Sequence, residues 1–118
     1  MAEIKSYVDL IVWQKGIELV EEVYRIIGAF PPDERYALGV QIKRASVSVP
    51  SNTAEGQARQ HTGEFRQFLY VSLGSLAELD TQLIIAKRLA YITEEAHRNI
   101  REKIFALQKM LSTLIKRL

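Results

Sequence analysis

The chain has 118 residues, of which 47% are hydrophobic and 25% charged, with 16 basic and 14 acidic side chains and a formal net charge of +2. This length fits one domain over residues 1–118, and the lack of cysteine excludes disulfides and thiolate chemistry. The first 59 residues carry seven basic and eight acidic side chains, and the remaining residues carry nine and six. A mild basic excess of this kind permits phosphate contacts without requiring them.

The N-terminal sequence Met-Ala-Glu-Ile-Lys has no apolar run behind a basic start, so we expect no signal peptide. No stretch approaches about 18 uncharged apolar residues, so we expect no membrane span and no membrane partner. These two features predict a cytoplasmic protein.

The first predicted helix covers about residues 10–27, with Asp9 as its cap, and ends near Gly28. Its apolar face is formed by Val12, Gly16, Leu19, Val20, Val23 and Ile27, and it is widened by Trp13, Ile17 and Tyr24. A stripe of about 100° is enough to pack one side of a helix within a monomer. The additional width predicts a second contact, with another subunit.

The second predicted helix begins at Phe30-Pro31-Pro32-Asp33, because proline suits the first turn of a helix. Leu38, Ile42, Ala45, Val49 and Asn52 line one of its faces. Pro50 lies inside this pattern and removes a backbone donor. We expect a kink there and not an end, because Ala54, Glu55 and Gln57 resume good helix formers.

The third predicted helix covers about residues 63–89, after a turn at residues 59–63. Its main stripe is Phe65, Phe68, Leu69, Leu76, Leu79, Leu83 and Ala86, and a milder second face is formed by Tyr70, Gly74, Ala77, Thr81 and Ile85. Gly74 lowers helix propensity by about 1 kcal/mol relative to alanine, so it predicts the close approach of another backbone. The third helix is therefore expected to be contacted on two sides.

The fourth predicted helix covers about residues 94–117, with Thr93 as N-cap and a stripe of Ile100, Ile104, Leu107, Leu111, Leu114 and Leu118. Four helices joined by short connections predict an all-α, antiparallel up-down-up-down four-helix bundle whose second helix is kinked at Pro50. The wide faces of the first and third helices predict a subunit interface that includes Trp13, Tyr24, Tyr70, Gly74 and Phe105.

Catalytic and metal-binding patterns are lacking. The two histidines, His61 and His97, have no partner one helical turn away and are interpreted as exposed structural residues. No glycine-rich phosphate loop is present, so we expect no enzyme activity, metal or cofactor. Asn52, Glu55 and Asp80 fall at or near apolar stripes. They predict a polar network between the second and third helices, with Ser48, Ser72 or Ser75 as further partners. A ligand or metal site inside the bundle is the alternative.

Basic side chains predict a nucleic-acid surface formed by Lys43, Arg44, Arg59, Arg66, Lys87, Arg88, Arg98, Arg101, Lys109 and Lys116. The last four lie within about one third of the circumference of the fourth helix, with Phe105 among them. Cations around an aromatic ring suit phosphate contacts and base stacking in RNA. A merely solvated face is one alternative, and burial of Phe105 in a subunit interface is another.

The stretch QIKRASVSVPSNTAEG, from Gln41 to Gly56, resembles the signature of the four-helix bundle proteins encoded in intervening sequences of 23S rRNA genes. That family reads glutamine, a basic pair, alanine, serine-aliphatic-proline, then asparagine and alanine-glutamate-glycine. The matching positions here are Gln41, Lys43, Arg44, Ala45, Ser48, Val49, Pro50, Asn52, Ala54, Glu55 and Gly56. Two further blocks, Phe65 to Leu83 and Asp9 to Lys15, are similar to the same family, so the resemblance covers residues 6–117.

Three positions depart from the family pattern. Thr53 stands where an aliphatic residue is common, and Gly16 and Ser72 stand where alanine is usual. The resemblance implies a bundle that assembles into a ring-shaped homopentamer. The chain is also similar to the accessory variability determinant proteins of diversity-generating retroelements, which are basic pentameric bundles that associate with a reverse transcriptase and with nucleic acid.

Two hypotheses for function follow. The first is a non-enzymatic homo-oligomer that binds RNA or the ribosome through its basic side chains. The second is a protein-interaction scaffold, or an accessory subunit of an enzyme such as a reverse transcriptase, with no nucleic-acid role. An enzyme or ligand carrier that uses Asn52, Glu55 and Asp80 is a third and weaker interpretation.

Overall fold

The computed structural model describes residues 5–118, which are helical with no strand among them. One 3-10 turn, Tyr7–Asp9, precedes helix α1, Ile11–Ile27. The single turn α2, Pro32–Arg35, is followed by three long helices, which are α3 (Leu38–Ala58), α4 (Thr62–Arg88) and α5 (Glu94–Arg117). The four long helices form the all-α bundle expected from the sequence, and α2 with α3 make up the predicted second helix.

Each long helix packs against two others, in the cyclic order α1, α3, α4, α5. The pair α3 and α4 is the most closely packed, and α5 closes the bundle against α4 and α1. The bundle measures 43 × 23 × 20 Å. The short connections make consecutive long helices antiparallel. The groove between α1 and α3 therefore lies on the opposite side of the bundle from the groove between α4 and α5.

The core is built from the predicted apolar stripes. Its largest fully buried side chains include Leu19, Ile42, Leu76, Leu83 and Ile104. Toward its C-terminus α5 buries Ile115, while the predicted Leu114 is only half-buried. The apolar spacing of each sequence segment thus places one face of every long helix in a shared interior.

A side-chain cap marks the start of α5 but not that of α1. The Thr93 hydroxyl accepts a hydrogen bond from the Ala96 amide at 3.1 Å, as predicted for the start of α5. Asp9 does not cap α1. Its carboxylate accepts the amides of Lys5 and Ser6 at 2.9 and 3.1 Å, which caps the preceding 3-10 turn, and Leu10 precedes α1 without a side-chain cap.

The second predicted helix is bent, and it is interrupted at Tyr36 and Ala37, where no break was predicted. The guanidinium of Arg35 donates to the carbonyls of Gly28, at 2.8 Å, and Phe30, at 3.2 Å. These bonds hold α2 against the end of α1, because the last carbonyls of a helix lack partners within it. The backbone at Ala37 then leaves the helical region (φ −112°, ψ −98°) before α3 starts.

Helix α3 continues through Pro50, as predicted from the helix formers that follow it. Gly16 of α1 faces this proline, and a Cβ added at position 16 would lie 3.2 Å from the Pro50 Cβ. The sequence departure at Gly16 therefore gives the proline-containing helix room to approach α1 closely.

The polar link between α3 and α4 uses Ser72, one of the predicted partners, and Thr53, which was not predicted to take part. The hydroxyls of Thr53 and Ser72 are 3.1 Å apart, and the Ser72 hydroxyl donates to the Val49 carbonyl at 2.9 Å. Thr53 and Ser72 are two of the departures from the family pattern, and they contact each other across the closest helix pair in the bundle. The Thr53 hydroxyl also reaches the Val49 carbonyl, at 2.9 Å, so both buried hydroxyls have hydrogen-bond partners.

The predicted network residues lie elsewhere. The Asn52 amide donates to the Ser48 carbonyl of its own helix at 2.8 Å. Glu55 is exposed and pairs with Arg59 at 3.2 Å, so the prediction that it belongs to a polar core is wrong. Asp80 pairs with Arg101 of α5 and not with the second predicted helix. The physical reason is rotation, because each residue along a helix turns by about 100° and α3 presents Thr53 to α4.

Helix α4 is long and apolar enough to cross a membrane by length and composition alone, which is a condition that core helices of soluble proteins also meet. Part of this character comes from its buried stripe of Leu69, Ser72, Leu76, Leu79, Leu83 and Ala86. The rest comes from an uncharged outward face, described below.

Candidate nucleic-acid interface

The bundle distributes the ten predicted basic residues over separate surfaces. Lys43 and Arg44 line the groove between α1 and α3. Arg59 and Arg66 lie at the connection between α3 and α4, and Arg88 is exposed at the end of α4. The largest group lies on the side of α4 and α5, and it contains Lys87, Arg98, Arg101, Lys109 and Lys116. The structure therefore assembles five of the ten residues and separates the other five from them.

The groove between α1 and α3 combines cations with an aromatic ring. The Lys43 ammonium lies 4.8 Å from the centroid of the Tyr24 ring. Arg44, Val40 and Val47 line the same shallow depression of about 490 Å³. Tyr24, which was predicted in a subunit interface, remains exposed in the single subunit.

Of the two arginines at the connection between α3 and α4, Arg59 is engaged within the subunit. It pairs with Glu55, and its guanidinium lies 5.3 Å from the centroid of the Phe68 ring. These contacts leave less of its charge available to a phosphate than an unpaired cation would offer. Arg66 is half-buried.

One continuous row of side chains follows the outer face of α5. It recurs at steps of three and four residues, and we call it the α5 stripe, formed by Arg98, Arg101, Phe105, Lys109, Ser112 and Lys116. From residue 98 to residue 116 the stripe extends about 27 Å along the helix axis. Arg98, Phe105, Lys109 and Lys116 are exposed.

Phe105 separates two shallow depressions along this row. The depression nearer the start of α5, about 310 Å³, is lined by Lys87, Glu94, His97, Arg98, Arg101, Glu102 and Phe105. The second, about 540 Å³, is lined by Phe105, Gln108, Lys109, Ser112, Thr113 and Lys116. We call these the His97 depression and the Lys109 depression. Two carboxylates line the first, and none lines the second.

Arg101 is fixed between a carboxylate and the aromatic ring. Its Nε donates to Asp80 at 3.1 Å, and its guanidinium carbon lies 4.8 Å from the centroid of the Phe105 ring. Asp80 is mostly buried, and Arg101 is half-exposed. The guanidinium makes a cation–π contact that orients the Phe105 ring. Since Arg101 is already paired with Asp80, it is less available to a phosphate than the sequence predicted.

His97 is buried, contrary to the prediction that it is an exposed histidine. It is 8% exposed, and its Nε2 has no hydrogen-bond partner. Burial, the largest cause, lowers the pKa of His97, and the charges of Lys87 and Arg101 lower it further. The carboxylates of Asp80 and Glu94 act in the opposite direction. His97 is therefore neutral in the folded protein near pH 7.

This lowered pKa predicts a pH-dependent stability. The unfolded chain binds a proton at His97 more readily than the folded chain does, so stability falls as the pH drops through the ordinary value of 6.5. Between about pH 7.5 and 5, the melting temperature of the wild type should fall more than that of His97→Leu. The control His61→Gln, at an exposed turn, should follow the wild type. Parallel curves for wild type and His97→Leu would contradict this assignment.

The outward face of α4 is apolar and nearly uncharged. It includes Tyr70, Val71, Gly74, Ala77, Thr81 and Ile85, all exposed, with Glu78 as the charged residue beside them. Tyr70 is 56% exposed and Ile85 is 43% exposed. We call this surface the α4 outer face. The sequence predicted this second face of the helix. It did not predict that Val71 extends the face.

Two predicted interface residues, Gly74 and Trp13, differ in the contacts that they make within the subunit. A Cβ added at Gly74 would meet nothing within 4 Å, so no backbone of the same subunit approaches this glycine. Trp13 is half-buried and packs against Tyr7, with the ring centroids 5.7 Å apart. The close approach predicted at Gly74 is therefore not made by its own chain, and it stays a prediction about another subunit.

The part of the chain that the structure describes holds no group of three or more acidic or histidine side chains close enough to bind a metal ion. The described surface carries cations and an aromatic ring on α5 and a nearly uncharged face on α4.

Comparisons with known proteins agree on the architecture. A family model described as "23S rRNA-intervening sequence protein" matches residues 8–113. The crystal structure of a protein of unknown function from the S23 ribosomal protein family of Bacteroides thetaiotaomicron superposes with a TM-score of 0.83. It is 23% identical, and the alignment covers 90% of this chain and 99% of that one. At this identity the likeness shows the fold. No curated protein matches the chain significantly.

Proposed function

The chain belongs to the family of 23S rRNA-intervening sequence proteins, and we propose that it is a non-enzymatic, homo-oligomeric helical bundle that binds RNA. The observation that carries this proposal is the α5 stripe, where exposed cations flank an exposed aromatic ring along one helix face. Such a cytoplasmic protein would act by holding RNA and not by transforming it.

The chemistry of the α5 stripe suits a phosphate backbone. Lysine and arginine side chains that contact phosphates release condensed counterions, which gives affinity without sequence specificity. Arg98, Lys109 and Lys116 are exposed and spaced along about 27 Å of one face, so they match an extended polyanion better than a compact one. These three exposed cations therefore support RNA binding more strongly than the chain's net charge does.

Assembly is the second element of the proposal. The α4 outer face exposes contiguous apolar surface, which on soluble proteins marks an interaction site. Gly74 at its centre permits a helix of another subunit to approach closely, because it presents no side chain. The resemblance noted above implies five subunits, and we propose a pentamer in which α4 lies in the interface and the α5 stripe remains open.

The interface has a direct test. Tyr70→Glu combined with Ile85→Glu should convert the assembly to monomers, because a buried unpaired carboxylate is strongly unfavourable. Light scattering during size-exclusion chromatography measures the mass of the particle, and circular dichroism checks that the helices persist. Asn99→Glu, on an exposed position of α5, is the control and should keep the wild-type mass. An unchanged mass in the double variant would exclude α4 from the interface.

The α4 outer face also supports a second candidate function, a scaffold that recruits another protein without binding RNA. An uncharged apolar helix face suits a protein partner as well as a second subunit. The two functions differ in their response to nuclease and to salt. A protein partner that stays bound after nuclease treatment would favour the scaffold.

RNA binding is tested by the salt dependence of affinity. A fluorescein-labelled single-stranded RNA of about 20 nucleotides is titrated with the protein, and fluorescence anisotropy gives Kd at several salt concentrations. The affinity should fall steeply between about 50 and 300 mM salt, since each phosphate contact in a single strand contributes about 0.7 to the slope. Flat binding, or none, would contradict the proposed function.

A further inference from the structure

The Lys109 depression combines three features that suit a nucleotide. It is lined by two lysines and no carboxylate, its walls carry the hydroxyls of Ser112 and Thr113, and an aromatic ring forms one end. We propose that it binds one unpaired nucleotide of RNA, whose base stacks on Phe105 and whose phosphate contacts Lys109 and Lys116. This inference rests on the proposed RNA binding and adds to it a preference for single strands.

The ring of Phe105 is available and oriented. It is 42% exposed, although most aromatic rings of this size are driven into the core. The Arg101 guanidinium lies 4.8 Å from the ring centroid and is itself held by Asp80, so the cation occupies one side of the ring. The exposed part of the ring offers a surface on which a base can stack.

The charges select the side of Phe105 on which the phosphate lies. In the His97 depression, Glu94 and Glu102 offset the cations, and Glu94 is 3.7 Å from the ammonium of Lys87. The Lys109 depression has no such offset. A phosphate that enters it meets Lys109 about 6 Å along the helix axis from Phe105, and Lys116 about 10 Å beyond that. Arg98, on the other side of the ring, is placed to contact a neighbouring phosphate.

Stacking on Phe105 requires an unpaired base. In an A-form duplex the bases are stacked inside the helix, and the deep, narrow major groove excludes side chains. A duplex would therefore gain the phosphate contacts of the α5 stripe but none from the ring. A single strand gains both, because every base presents a face for stacking whatever its sequence.

Phe105→Leu separates stacking from charge. It keeps an apolar side chain and leaves every cation in place, so affinity for the single-stranded RNA of about 20 nucleotides should fall about 5- to 150-fold, the range of one lost base stack. Its salt slope should remain that of the wild type. Lys109→Gln should instead lower the slope by about 0.7. Phe105→Trp, which retains a stacking surface, should restore tight binding.

The same RNA annealed to its complement gives the second comparison. The wild type should bind the duplex more weakly than the single strand at equal salt, and Phe105→Leu should reduce this difference. Equal affinity of wild type and Phe105→Leu for the single strand would overturn the nucleotide site, and so would a wild type that prefers the duplex. A change in particle mass on Phe105→Leu would place the ring in a subunit interface and overturn it as well. In each of these outcomes the wild type still binds RNA. If the proposed function itself is wrong, the wild type binds neither the single strand nor the duplex.

Discussion

Replacing Arg98, Lys109 and Lys116 together by glutamate is expected to weaken RNA binding about 100-fold near 100 mM salt, if each lost phosphate contact contributes about 1 kcal/mol. All three side chains are exposed and lie on the α5 stripe. The variant should also show a flatter salt dependence, because fewer counterions are released on binding. Fluorescence anisotropy with the labelled single-stranded RNA measures both quantities.

Arg101 is left unchanged in this variant for a structural reason. Its Nε lies 3.1 Å from Asp80, whose side chain is only 16% exposed. A glutamate at position 101 would place a second carboxylate beside Asp80, and removing one partner of a largely buried ion pair is destabilising. If such a variant lost RNA binding, the effect of a folding defect could not be distinguished from the loss of a phosphate contact.

A matched control separates the surface from the total charge. Lys5, Lys15 and Arg25 are exposed and lie outside α5, and replacing them by glutamate changes the net charge by the same amount. This control should bind RNA within a few fold of the wild type, because screening limits the reach of a surface charge to about 10 Å. Equal loss in both triple variants would show that binding follows overall charge and not the α5 stripe.

Gly56→Ala is expected to destabilise the bundle by about 2 kcal/mol, which corresponds to a melting temperature lower by roughly 8 °C. A Cβ added at Gly56 would lie 2.6 Å from the Phe68 Cβ, and this atom cannot move without shifting α4. The expected gain in helix propensity, about 1 kcal/mol, is smaller than the cost of separating the closest helix pair in the bundle. Urea unfolding followed by circular dichroism gives the free energy.

Gly63→Ala is the matched control for this glycine. A Cβ at Gly63 would meet nothing within 4 Å, so only helix propensity changes and stability should stay equal or rise by up to about 1 kcal/mol. All variants are compared at one protein concentration, because the stability of an oligomer depends on it. If the two alanine variants shift stability in the same direction, the contact between Gly56 and Phe68 does not limit the packing of α3 on α4.

Helix positions followed closely from sequence because their determinants are local. The predicted ranges 10–27, 63–89 and 94–117 agree within one residue at each end with Ile11–Ile27, Thr62–Arg88 and Glu94–Arg117. Apolar spacing sets the buried face of each helix, and residues such as Thr93 and Gly28 set its ends. The interruption at Tyr36 and Ala37 escaped prediction because it depends on Arg35 reaching back to α1.

The candidate site followed from sequence only in part. The spacing of Arg98, Phe105, Lys109 and Lys116 already placed them on one face of a single helix. Periodicity could not show that Arg101 is paired with Asp80, which is 21 residues away in the chain. It also could not show that Lys43 and Arg44 lie across the bundle, because the order of helices around the core is a tertiary property.

The sequence by itself determined four helices, the inward face of each and the row of cations on the last. Only the tertiary structure decided which residues meet between helices. Ser72 contacts Thr53 and not Asn52, Glu55 or Asp80, Gly16 makes room for Pro50, and His97 is buried. The physical reason is that spacing along one helix fixes a face to within about 100°, whereas contact between two helices depends on their relative rotation and separation.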